Sequence, residues 1–74
     1  MIWGYAFAEI ETHLARLGFR RVREVAGTIL FSRGDEAFTL RAPNVDGLLP
    51  ETIVIDAFDR AGLPPPTPAT RYVD

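Results

Sequence analysis

The 74-residue chain contains no cysteine, no lysine and a single histidine, and it has no long hydrophobic run. Without cysteine there are no disulfide staples, no thiolate nucleophile and no sulfur-ligated zinc. His13 alone cannot assemble a histidine-rich metal site. The first eight residues are uncharged, yet Glu9 ends that run far short of the roughly 20 residues a membrane helix needs. The same stretch lacks the positive start and small-residue cleavage site of a signal peptide. A cytoplasmic location without membrane contact is therefore expected. No phosphate-binding loop, nucleophile motif or metal-ligand spacing is visible, so no metal and no cofactor are expected.

What is present suffices for one small core. Hydrophobic residues make up 47% of the chain and aromatic residues 11%, which excludes disorder throughout. A second core would need roughly 50 more residues. Eight arginines face ten carboxylates for a net charge of -2. Those charges are unevenly spread. Arg16, Arg20, Arg21, Arg23 and Arg33 are opposed between 16 and 33 only by Glu24, whereas residues 43–74 are net acidic. Arginine supplies planar forks suited to carboxylate or phosphate. A polyanion would nevertheless bind this patch against a mildly unfavourable whole-molecule field.

From Tyr5 to Leu17 the residues Phe7, Ile10, Leu14 and Leu17 recur at helical spacing. Glu9 and Glu11 lie near the start and Arg16 near the end, as the helix dipole prefers, and Gly18 supplies a stop. From Phe19 to Ala42 the period changes. Val22 and Val25 mark one short run, Thr28 to Phe31 a second, and Ala37 to Ala42 a third in which Phe38, Leu40 and Ala42 alternate with polar positions. Gly27 and the Arg33–Glu36 segment separate them, so a three-stranded antiparallel meander is the simplest reading.

Pro43 to Leu49 reads as a loop, and Pro50 suits the first position of a second helix running to Ala61. Ile53, Val54, Ala57, Phe58 and Ala61 supply its apolar side. Thr52 to Ile55 are four β-branched residues with a preference for strand, which leaves strand as the alternative. Gly62 and Pro64-Pro65-Pro66 end the segment. The domain is expected over 1–63, and residues 64–74 as a proline-rich tail, extended or disordered.

Three groups of residues are candidates for function. His13 flanks the apolar stripe of the first helix, either packing there or, with a partner such as Glu9, moving protons. Arg21, Arg23, Arg33 and Arg41 are candidates for binding RNA or a protein partner, with Arg21 and Arg23 on one face of the first strand. The alternative is that they are solvated and paired with Glu24, Asp35 or Glu36. Ile2, Trp3 and Tyr5 concentrate apolar surface at the amino terminus, either stapling the first helix or joining a second subunit in a homodimer.

Leu14-Ala15-Arg16-Leu17-Gly18-Phe19, Val22-Arg23, Gly27-Thr28-Ile29-Leu30-Phe31, Leu49-Pro50-Glu51-Thr52 and Ala57 to Leu63 together resemble the HicA (YcfA-like) toxin family. The resemblance runs from about residue 8 to 63. It implies an α+β fold of order αβββα, similar to the double-stranded RNA-binding domain, with two helices on one face of a three-stranded antiparallel sheet. It also favours helix for Thr52 to Ile55. Toxins of this family are ribonucleases of toxin–antitoxin systems that cleave mRNA and are neutralised by an antitoxin protein, HicB. Their catalytic histidine follows a Gly-Ser or Gly-Thr pair. Here that pair is Gly27-Thr28, and the next residue is Ile29, which cannot move a proton. The expected function is therefore a non-catalytic HicA-like domain that binds an antitoxin-like protein or RNA. A divergent mRNA endoribonuclease and a self-associating structural module are the alternatives.

Overall fold

The computed structural model describes residues 2–42, 47–67 and 71–73, with side chains from Trp3 to Thr67 within those ranges. The elements run β1 (Ile2–Ala6), α1 (Phe7–Arg16), β2 (Arg20–Val25), β3 (Thr28–Arg33), β4 (Glu36–Arg41), β5 (Leu48–Pro50), α2 (Glu51–Arg60) and β6 (Arg71–Val73). The expected α+β class and the central αβββα order are present. The β2-β3-β4 meander is antiparallel throughout.

Both helices form for the reasons their sequences suggest. Phe7, Ile10 and Leu14 are the buried stripe of α1, and Val54 and Phe58 that of α2. Burial of Val54 and Phe58 against the sheet outweighs the strand preference of Thr52 to Ile55. Each helix ends in the same six-residue device. After α1, Phe19 N–H donates to Leu14 O at 2.9 Å and Gly18 N–H to Ala15 O at 3.0 Å. After α2, Leu63 N–H donates to Phe58 O at 3.0 Å and Gly62 N–H to Asp59 O at 3.1 Å. Gly18 and Gly62 take φ values of +94° and +69°, which this closure requires.

Ile29 and Phe31 of β3 and Phe38 and Leu40 of β4 point to the helices and share one core with them. The rings interlock: Phe38 lies 4.8 Å from Phe58 and 6.2 Å from Phe31, and Phe31 lies 6.4 Å from Phe7. Among the described residues, no helix covers the opposite face of the meander.

The structure differs from the sequence reading at both ends. The helix expected from Tyr5 starts at Phe7, because Ile2–Ala6 is the middle strand of a second sheet of order β5-β1-β6. Tyr5 pairs with Leu49 and is buried in the core. Part of the expected loop is β5, and Pro50, paired with Gly4, caps α2 from outside rather than occupying its first turn. Within the expected tail, Arg71–Val73 forms β6, with Val73 opposite Ile2. The Pro43–Asp46 part of the expected loop lies outside the described residues.

Candidate binding face

The four arginines singled out from the sequence do not share a face. In the β2·β3 register Arg21 is opposite Phe31, Arg23 opposite Leu30, and Val22 between them has no partner. Val22 is the extra residue of a bulge. In a regular strand, residues two apart share a face, as expected here for Arg21 and Arg23. The bulge puts them on opposite faces, Arg21 with the core-facing Phe31 and Arg23 with the outward Leu30.

Arg33 and Arg41 are separated in the same way. Arg33 follows the core-facing parity of Ile29 and Phe31. Its guanidinium lies 4.5 Å from the Phe19 ring and donates to Leu17 O at 2.7 Å. It also forks onto Glu36, with Nε and Nη2 each about 3 Å from a carboxylate oxygen. Arg21 is likewise engaged, with Glu24 at 2.7 Å, Glu11 at 4.0 Å and the Phe7 ring at 5.7 Å. These two arginines are structural ties between the meander and α1.

Arg41, opposite Thr28, points outward with Arg23. Arg20, opposite Ser32, joins them, where regular alternation along β2 would set it on the face opposite Arg23. The outer face therefore carries Arg20, Arg23 and Arg41 among Val25, Thr28, Leu30, Ser32, Ala37 and Thr39. Both carboxylates of the three strands, Glu24 and Glu36, share the register parity of the core-facing residues and are held there by arginine. An outer face with three guanidinium groups and no strand carboxylate suits an anionic surface. Every aromatic residue of the meander and of the Phe19 lead-in is buried on the other side.

His13 is half-buried, with its ring 5.5 Å from Phe58 and its Nε2 2.9 Å from Pro64 O. It straps the proline segment to α1, as the packing alternative expected. Ile29, which stands where the HicA-like pattern has histidine, is fully buried among core residues. Of the amino-terminal candidates, Tyr5 is buried within this chain and Ile2 lies on a strand bonded on both edges, while Trp3 is 40% exposed. Among the described residues no cluster of His, Asp or Glu is arranged to hold a metal, and no helix is long and apolar enough to cross a membrane. No family model, curated protein or solved structure matches the chain.

Proposed function

We propose that the chain is a small, non-catalytic binding module, HicA-like in order of elements, whose uncovered sheet face takes the acidic surface of a protein partner. One observation carries this reading: Arg20, Arg23 and Arg41 share a helix-free face from which the strand carboxylates are turned away. A protein is favoured over RNA on two grounds. Among the described residues the outer face offers no aromatic ring on which an unpaired base would stack. The chain as a whole is net acidic, which opposes a long polyanion more than a local carboxylate cluster. Burial of Ile29 supports the non-catalytic part, since a side chain at that position lies inside the core, away from substrate.

The test is fluorescence anisotropy of two labelled probes, a glutamate-rich peptide and a mixed-sequence single-stranded RNA, with RNA integrity read on a gel. The wild type is expected to bind the peptide, and an Arg23→Glu/Arg41→Glu variant to lose that binding. Retardation of RNA with a steep inverse salt dependence, without peptide binding, would replace the protein partner by RNA. Cleavage of RNA by wild type would overturn the non-catalytic reading altogether.

A further inference from the structure

We propose that the free edge of β4 is the seam of a two-fold homodimer, in which β4 of one copy pairs antiparallel with β4 of another. The meander has two outer strands, β2 and β4, and they differ in how they are protected. β2 is blunted by the Val22 bulge and by four charges in a row of five residues, Arg20, Arg21, Arg23 and Glu24. Such features block edge-to-edge pairing. β4 has none of them in its centre. Ala37, Phe38, Thr39 and Leu40 carry no charge, include no proline and pair with β3 in unbroken register. An edge without a bulge, uncharged at its centre and unpaired among the described strands, is a template for another strand.

The polar backbone groups of that edge can be assigned. Ala42 N–H donates to Gly27 O at 2.7 Å, so Ala42 faces β3. By alternation Leu40, Phe38 and Glu36 also turn their backbone groups to β3, and Ala37, Thr39 and Arg41 turn theirs to the free side. A two-fold axis at Thr39 satisfies all three positions: Thr39 pairs with its own counterpart, and Ala37 with Arg41 of the second copy. The two Arg41 side chains then sit four residues apart along the seam. That is about 13 Å, beyond the Debye length of about 10 Å at 0.1 M salt.

Space and complementarity agree with this occupant. A groove of about 510 Å³ lies between β4 and α2, lined by Thr39, Arg41, Ile53, Asp56, Ala57 and Arg60. Ile53 on its wall is 49% exposed, although it is a large apolar side chain. With the axis perpendicular to the sheet, the two α2 helices run antiparallel beside the seam. Asp56 and Arg60, an i,i+4 pair 3.0 Å apart, then face the same pair in reversed order, so opposite charges meet. This seam leaves the outer arginine face open and extends it into a six-stranded sheet.

Sedimentation velocity across a concentration series, up to millimolar, tests the proposal. The wild type is expected to shift from the 8.2 kDa monomer to twice that mass. Thr39→Pro removes an N–H that none of the described strands uses, and Thr39→Lys sets two ammonium groups opposite each other. Both variants, checked for folding by circular dichroism, are expected to weaken dimerisation on the order of tenfold or more. Val25→Asp on the other edge is expected to leave it unchanged. A wild type that stays monomeric, or a dimer that survives both folded Thr39 variants or dissolves with Val25→Asp or Trp3→Ala, would sink the proposal.

Discussion

Arg21 and Glu24 lie three residues apart on one β-strand and yet form an ion pair, Nη2 to Oε1, at 2.7 Å. A regular strand sends such residues to opposite faces, so the contact exists only because Val22 is an extra residue between them. Both side chains are about 42% exposed, and an exposed pair contributes at most about 1 kcal/mol. Its importance is geometric. One inserted residue turns Arg21 and Glu24 to opposite sides of the sheet from where Arg20 and Arg23 point.

Deleting Val22 should therefore be tolerated. The shortened strand keeps every observed pair, Arg20 with Ser32, Arg21 with Phe31 and Arg23 with Leu30, and merely loses the bulge. The expected change in stability is about 1 kcal/mol or less, with the Arg21–Glu24 pair retained as same-face neighbours. Deleting Thr39 from β4 reverses the facing of either Phe38 or Leu40 and should unfold the domain. Thermal melts of the two deletions side by side check this.

Arg33 should behave as a structural residue. Its guanidinium ties Leu17 O, the Phe19 ring and Glu36 together, and its Cδ would lie 3.0 Å from a Cβ placed on Gly18. Arg33→Lys keeps the charge but loses the planar fork, and should cost about 1 kcal/mol. Glu36→Gln, at an exposed site, should cost only a few tenths of a kcal/mol. Gly18→Ala should cost more than Gly62→Ala, because both positions have positive φ but nothing lies within 4 Å of a Cβ on Gly62. Urea titrations would rank the four variants.

Ile29→His should not create a ribonuclease. The introduced imidazole would be sealed in the core, costing about 3 kcal/mol or more in a domain with roughly 4–11 kcal/mol in all. Burial lowers the folded-state pKa of such a group. Stability should then fall further as pH drops below about 6.5, where the unfolded chain takes up a proton that the folded one refuses. Melting temperature at two pH values, with an RNA cleavage assay alongside, reads both parts.

The β2–β3 turn can be improved. Ala26 takes φ +50° and Gly27 φ +81°, the conformation of a two-residue hairpin turn that favours asparagine followed by glycine. Ala26→Asn should add about 0.5–1 kcal/mol, a rise of several degrees in the melting midpoint.

The helices and the meander were legible because their signals are local: the stripe from Phe7 to Leu17, the alternation of Phe38, Leu40 and Ala42, and Gly18 and Gly62 as stops. β1 was hidden because its last residues run straight into the stripe of α1 without a Ser, Thr, Asp or Asn cap. Ala6 stands at that junction, and its N–H is answered from below by Glu9 Oε1 at 3.4 Å. β5 and β6, at three residues each, are too short to carry a period, and each enters a sheet through its pairing with β1. The outward arginine face was half legible. Arg23 and Arg41 point outward as a regular alternation would have them, but a bulge residue flanked by charges leaves no alternation to read, so the register puts Arg20 on this face and Arg21 on the other.

The position of β1 between β5 and β6 also sets an order of assembly. β2, β3 and β4 are joined by turns of two residues and can close as soon as they leave the ribosome. β1 precedes all of them in the chain but has no strand partner until residues 48–50 arrive, and its second partner is residues 71–73. The earliest described strand in chain order is thus among the last to be completed. Until then Tyr5, a core residue in the finished fold, lacks Leu49, its partner across the sheet, and a misfolding route has its opportunity there.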